Sequence, residues 1–319
     1  MDRLLVVLMS FIVFSVVRAI PGDPATILLG QQADVRLAAQ IRHEMGLDGP
    51  LLTQYVKWAA AALHGDLGKS LASYGTSGLS GQPVGQALSS ALVVTVPLTF
   101  LAMLIALLVG TVAGLLGAFW RGTRKDYLLS VGTFVWISIP EFYLAILLIL
   151  FLSVHYNIFP ATGWTPWTVN PLDALHHLVL PAACLGLIGA APISRMLRAS
   201  MLEVLPNDYI KAARSRGAPD SVVYLKHALR NALLPTITVA SLQLGYLLGG
   251  AVIVEQIFAL PGMGWTLIQA VNNRDYTMIQ GVVLVFTIIF ALVNLLNDVL
   301  YGIADPTVRS AVTGARGAR

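Results

Sequence analysis

Apolar residues in this chain do not alternate with polar ones. They gather into six nearly unbroken runs, near Leu4 to Ile20, Leu88 to Phe119, Tyr127 to Val154, Leu178 to Leu197, Leu233 to Phe258 and Ile279 to Ile303. A helix rises about 1.5 Å per residue, so about 20 apolar residues cross a hydrocarbon core roughly 30 Å thick. Spanning strands would alternate over segments of about 10 residues, and backbone polar groups in lipid must be satisfied within the spanning element, which leaves helices. The pattern predicts an all-α polytopic membrane protein: a first transmembrane helix at 1–20, an external cap segment at 21–86, five more helices within 87–304 and a tail at 305–319. An inner loop at 198–232 separates the fourth and fifth runs. Pro140 lies within the third run, where a missing backbone donor kinks or breaks a helix, so that run is expected to be a bent span or to contain a re-entrant piece.

Composition agrees with a lipid solvent. Only 11% of the 319 residues are charged and 56% are hydrophobic, whereas a soluble domain carries about a quarter charged residues. Most of the 20 Lys and Arg residues fall on one side of the predicted spans: Arg3; Arg121, Arg124 and Lys125; Arg195, Arg198, Lys211, Arg214, Arg216, Lys226 and Arg230; Arg309, Arg316 and Arg319. Arg18, Arg36, Arg42, Lys57, Lys69 and Arg274 fall on the other. The excess predicts cytoplasmic termini in a multi-pass protein of the inner (plasma) membrane. The sequence pI of 9.3 then reflects topology and anionic lipid, not nucleic acid. The first run resembles a signal peptide, but Arg18-Ala19-Ile20-Pro21 lacks a small-x-small cleavage site, so it is read as a retained span. Cys184, the single cysteine, excludes a disulfide framework within the chain.

In the cap, Pro21-Gly22-Asp23-Pro24 reads as a turn. Two amphipathic stretches follow, near Asp34 to Met45 and over Leu51 to Leu63. The second sets Leu51, Leu52, Tyr55, Val56 and Ala59 at helical spacing, a face for the membrane surface or the span ends. Trp58, Trp164, Trp167 and Trp265 fall near outer boundaries, as an interfacial belt does. The pairs Gly110 with Gly114 and Gly245 with Gly249 allow close helix approach, either within the chain or at a dimer seam.

The centre of the inner loop reads Asp208-Tyr209-Ile210-Lys211-Ala212-Ala213-Arg214-Ser215-Arg216-Gly217. Asp208 is expected to cap a short helix and Gly217 to end it in the left-handed conformation, while the adjacent alanines keep one surface low and smooth. Here the chain resembles the permease subunits of bacterial ABC importers, whose coupling loop carries Glu-Ala-Ala, three residues, then Gly, with Lys211 in the Glu place. His227-Ala228-Leu229-Arg230-Asn231-Ala232-Leu233-Leu234-Pro235, with Pro235 later than in the general motif, resembles the B-type permeases of the dipeptide, oligopeptide and nickel group. Other pieces in matching order are Ile20-Pro21-Gly22-Asp23-Pro24, Leu47-Asp48-Gly49-Pro50-Leu51, Gly65-Asp66-Leu67-Gly68, Ser138-Ile139-Pro140 and Glu255-Gln256-Ile257-Phe258. Leu260-Pro261-Gly262-Met263-Gly264, Asn273-Arg274-Asp275-Tyr276 and Asp305-Pro306 complete the series. The N-terminus is several residues shorter than is usual for such permeases.

The resemblance implies that Asp208, Tyr209, Lys211, Ala212, Ala213, Arg214 and Gly217 enter a groove on an ATPase subunit. It also implies a second homologous permease beside this one, two ATPase subunits or one fused ATPase, and an external solute-binding protein. The chain itself would bind no cofactor, with ATP and Mg held by the partner subunits. The cargo implied is di- or oligopeptides, with nickel chelates, glutathione or haem as alternatives. Gly65-Asp66-Leu67-Gly68-Lys69-Ser70 ends like a phosphate-binding loop, but Leu63 stands where that motif needs Gly and no strand is predicted before it, so ATP hydrolysis is not expected of this chain.

Glu141, Glu255 and Asp298 lie in or beside apolar runs, where an ionised carboxylate costs several kcal/mol unless it faces water or a partner. Each is a candidate for the translocation path or its gate; headgroup positions and helix caps are the alternative for Glu141 and Glu255. His176-His177 supplies two adjacent rings on different faces and no third ligand at chelating spacing, so no metal is assigned. A membrane-embedded enzyme would need converging polar catalytic groups, and none is evident. A secondary transporter would need an internal repeat around a central ion site, which six unequal runs fit poorly.

Overall fold

In the computed structural model, residues 49–70 and 81–304 are described, with scattered positions between 8 and 18. The described residues of the first apolar run are helical. The rest of that run, the stretch Asp34 to Met45 and the tail lie outside the described residues, as do positions 71–80 of the cap. The helices are α1 Leu51–Leu63, α2 Val84–Phe119 and α3 Arg124–Ser138. Then come α4 Glu141–His155, with its last part Ile149–His155 wound as a π-helix, α5 Pro171–Val204 and α6 Asp208–Ser215. Next is α7 Asp220–Ile257, with a π-helical stretch over Val223–Ala228, followed by α8 Met263–Asn272 and α9 Tyr276–Ala304.

Among the described residues, α2, α5, α7 and α9 are long and apolar enough to cross a membrane, and α3 with α4 adds a fifth span if that bent pair counts as one. The pair turns through 104° where the sequence places Pro140. α3 stops at Ser138, Pro140 sits at the N-cap of α4 in extended conformation, and Glu141 opens the new helix. α5 and α7 extend well past the apolar runs, so only residues 205–219, with α6 among them, separate the two long helices.

The chain forms two units. One contains the N-terminal part through Thr95 together with Pro261–Ala291. In it, Tyr55 of α1 packs edge-on against Phe11 at 5.1 Å and Phe14 at 5.6 Å, and shares a 2.8 Å hydrogen bond with Ser10. Leu51, Leu52 and Val56 stay exposed, so aromatic residues do the packing and the aliphatic ones form a free apolar face. Val84, Leu88 and Ala91 of α2 join Met263 and Ala270 of α8 and Tyr276, Ile279 and Val282 of α9 in one core. The turn that resembles a phosphate loop follows helix α1, not a strand. Its Ser70 hydroxyl donates to the buried Asp275 carboxylate at 2.5 Å, and the same carboxylate accepts from the Met278 amide near the start of α9 at 3.0 Å. The turn is a structural pin.

The second unit contains Val96–Leu260 and Leu292 onward. α2 and α5 run parallel here and almost touch backbone to backbone. A Cβ on Gly110 would lie 2.8 Å from the Ala190 carbonyl, one on Gly114 2.8 Å from that of Ser194, and one on Gly186 2.7 Å from that of Ala102. The Gly110 and Gly114 pair therefore serves packing within the chain, where small residues let dispersion act at close range. Nothing lies within 4 Å of the corresponding position on Gly249. α5 begins cleanly because the Asn170 side chain accepts from the amides of Leu172 and Asp173 and Pro171 supplies a helical φ in the first turn. The Arg198 guanidinium of α5 grips the buried Asp126 carboxylate of α3 in a forked pair at 3.0 and 2.8 Å.

Candidate functional site

The segment between α5 and α7 is built as a small rigid platform. Asn207, not Asp208, is the N-cap residue of α6. Asp208 is the first helical residue, where a negative charge complements the helix dipole, and it pairs with Lys211 at 2.9 Å on the exposed surface. The sequence reading was one residue out because Asn and Asp are equally good caps side by side. α6 ends as its Gly217 predicts, with φ +82°. The Gly217 amide donates to the Arg214 carbonyl at 2.9 Å and the Ala218 amide to that of Ala213 at 3.2 Å. This pair of reversed bonds satisfies carbonyls that would otherwise be orphaned at the helix end.

Ile210 and Ala213 are both buried, and Ile210 shares a core with Leu197 and Met201 of α5, Val223, Ala228 and Ala232 of α7, and Ala118 of α2. The expectation that both alanines offer a smooth surface to a partner is therefore corrected. At this helical spacing Ala213 shares the inner face with Ile210, and Ala212 alone is turned outward. The exposed face presents Asp208, Tyr209, Lys211, Ala212, Arg214 and Gly217. Tyr209 is held from behind, its hydroxyl accepting from Asn231 of α7 at 2.7 Å. Arg214 lies 3.8 Å from Asp220 at the start of α7, an exposed pair worth little in stability. Ile210 thus ties α6 into a close-packed core shared with three long helices.

The candidate path residues sit elsewhere. Glu141 opens α4, its backbone carbonyl 3.7 Å from Cys184 Sγ. Its carboxylate rests against the backbone of Gly250 on α7, where a Cβ would collide with it, and one of its oxygens is buried without a hydrogen-bond partner. Glu255, fully buried, lies further along the same helix, and its backbone carbonyl accepts from Leu260 at 2.9 Å in the turn that follows. The backbone of Asp298 continues α9, but its side chain lies outside the described residues. Glu141 and Glu255 thus both belong to the neighbourhood of α7, whose other end carries the α6 platform. His176 and His177 donate to the carbonyls of Ile158 and Asp173 at 2.8 and 2.9 Å, and among the described residues no group of three or more His, Cys, Asp or Glu could hold a metal ion. Sequence reasoning missed Ile210 as the anchor, the Arg198 to Asp126 pair and the fit of Glu141 to Gly250. The last two join residues far apart in the chain, and no local pattern announces them.

Comparison with known proteins agrees with this geometry. A family model described as "Binding-protein-dependent transport system inner membrane component" matches residues 106–310, and its N-terminal companion matches residues 2–99. A permease from Brucella abortus (strain 2308), named for peptide transport, is 39% identical over 302 residues, covering 95% of this chain and 94% of its own. The glutathione transport system permease protein of Escherichia coli (strain K12) is 38% identical over 302 residues, with the same coverage. Among solved structures, a chain of the methionine ABC transporter MetNI in an inward-facing conformation superimposes with a TM-score of 0.58 at 22% identity, covering 69% of this chain and 97% of that one; this likeness concerns the fold. Matched by family models along most of its length, the chain belongs to the family of binding-protein-dependent transport system inner membrane components.

Proposed function

We propose that this chain is one of two permease halves of an ATP-driven importer, and that α6 is the element through which ATPase subunits drive it. The carrying observation is the platform itself: an exposed face of Asp208, Tyr209, Lys211, Ala212 and Gly217 anchored in a core shared with α2, α5 and α7 through Ile210. In this reading six helices cross the inner membrane, the cap is external, and both termini are cytoplasmic, which the Lys and Arg distribution supports. A second, homologous permease packs alongside. The exposed stripe Leu242, Tyr246, Gly249 and Ile253 along α7 supports such a neighbour. Two ATPase subunits or one fused ATPase hold ATP and Mg, and an external binding protein delivers cargo. The chain is a non-catalytic subunit that binds no cofactor of its own. ATP shifts the pore between outward-open and inward-open states because it binds the two assembled arrangements with different affinity.

The cargo is di- or oligopeptides. Relatives named for peptide and for glutathione transport support this, glutathione being itself a short peptide. Glu141, which rests against Gly250 of α7, Glu255, which lies on α7 itself, and Asp298 of α9 are assigned to the path or its gate.

The test is ATP hydrolysis in proteoliposomes holding this chain with its copurified partners, with and without the external binding protein. Short peptides should stimulate hydrolysis and a nickel chelate should not. Stimulation by the chelate alone would replace the cargo. Absence of any copurifying ATPase would overturn the importer reading.

A further inference from the structure

At the end of the second unit away from α6, where α4 gives way to α5, lies an open cavity of about 560 Å³ bordered by Ser153, Asn157, Phe159, Asp173, His176 and His177. Ser153 is 7% exposed, and its hydroxyl has no hydrogen-bond partner. Elsewhere in the spans, Thr133, Ser138 and Thr236 donate to the carbonyl four residues back. Ser153 instead belongs to the π-helical end of α4, and π-helical turns concentrate at functional sites. A buried hydroxyl without a partner is destabilising and calls for a specific cause.

The remaining groups define what would supply the missing bond. Asp173 carries a formal charge, its carboxylate accepting from the Thr165 hydroxyl and lying 3.8 Å from His177 Nδ1. His176 Nε2 and His177 Nδ1 both face carbonyl oxygens, so these nitrogens carry the protons, and on each neutral ring the other nitrogen is an acceptor. No Lys or Arg lines the cavity. The lining is thus rich in acceptors and negative in charge, with aliphatic and aromatic walls from Ile158, Phe159 and Pro160. Metal is disfavoured because, among the described residues, no group of three or more His, Cys, Asp or Glu converges here. A compact cation with three rotatable donors fits, since it can satisfy a carboxylate, a hydroxyl and an imidazole together.

We propose that this cavity binds a primary ammonium group, with Asp173 as counter-ion and Ser153 as its buried acceptor. The inference deepens the importer reading and rests on it for the source of the ligand: the free N-terminus of a peptide arriving from outside, or the headgroup of an ethanolamine phospholipid at the outer surface.

The experiment uses the full chain with its copurified partners in nanodiscs, without the external binding protein. Binding of alanyl-alanine and of its N-acetylated form is measured by calorimetry. Hydrogen bonds to charged groups contribute about 1.5–3 kcal/mol, so the free peptide should bind about tenfold or more tightly. Asp173→Asn should bring that ratio close to one. Ser153→Ala should lower it severalfold while leaving the melting temperature unchanged or raised, which a purely structural role for the hydroxyl would not do. In parallel, retained lipid is identified by native mass spectrometry. Preference for phosphatidylethanolamine over phosphatidylcholine, lost in Asp173→Asn, would support the site with lipid as its ligand. If wild type shows neither the peptide nor the lipid preference, the site is refuted. Peptide-stimulated ATP hydrolysis by the wild-type complex reads the importer function separately, so either conclusion can fall while the other stands.

Discussion

Truncating Ile210 to alanine tests the claim that α6 is a rigid handle on the long helices. The side chain is fully buried in a core with Ala118, Leu197, Met201, Val223, Ala228 and Ala232. Side chains held on long helices fill the space only in part, so the change leaves a cavity. Ile→Ala in a core costs about 2–5 kcal/mol. At about 1.4 kcal/mol per factor of ten, even the lower bound weakens the seating of α6 about 30-fold. The ATPase would still meet the same exposed face of Asp208, Tyr209, Lys211 and Ala212, so hydrolysis should survive while solute moved per ATP falls severalfold. The assay is simultaneous measurement of hydrolysis and uptake in proteoliposomes, with complex assembly checked by copurification. An assembled I210A complex with the wild-type transport-to-hydrolysis ratio would refute the handle. Ala213→Asp and Ala212→Asp bracket the result. The first buries a charge inside the chain's own core and should reduce the yield of folded protein. The second touches only the partner surface and should fold normally but lose the copurified ATPase.

Gly217→Ala should cost about 1 kcal/mol, because alanine is strained at φ +82°, and should lower coupling less than I210A in the same assay. Asp126→Asn removes the charge gripped by Arg198 and should cost about 1.5–3 kcal/mol, read as a lowered melting temperature of the detergent-solubilised chain. Gly110→Leu pushes a side chain into the Ala190 carbonyl and should abolish folded protein on size-exclusion chromatography. Gly249→Ala meets open space within this chain and should leave the isolated chain unchanged; loss of the second permease in copurification would locate the seam at Gly249.

The spans were legible because lipid imposes a one-dimensional rule: a run must be long, apolar and self-satisfied, and Val84–Phe119 and Tyr276–Asn297 obey it in plain sight. Pro140 announced the break before Glu141 because its effect is local and covalent, and Gly217 announced the end of α6 for the same reason. Orientation of the short helix was harder. Its polar and small residues are spread around it, and the decisive fact, that Ile210 and Ala213 are both buried, depends on helices that converge from distant parts of the chain. Ser153 was invisible for a related reason: a serine in an apolar run ordinarily bonds back to its own helix, and only the π-helical winding and a cavity it shares with Asp173 make its hydroxyl informative.

The two ends of α7 place this fold's mechanical constraints on a single element. At one end Val223, Ala228 and Ala232 hold the α6 platform, and the π-helical winding there widens the helix beneath the load. Toward the other end Gly250 lies against the Glu141 carboxylate without a side chain of its own, followed by the buried Glu255. A tilt of α7 that keeps α6 seated must therefore slide Gly250 across Glu141, at the break where α3 and α4 are joined only through Ile139 and Pro140. If α6 is the coupling element proposed above, the stiff contact and the soft one lie in series, and displacement imposed at α6 would appear where the chain is most easily bent. That arrangement sets an acidic residue, costly inside an apolar run, beside the break itself. Its carboxylate rests on bare backbone next to a hinge, and a small movement of α7 changes what its unpartnered oxygen meets.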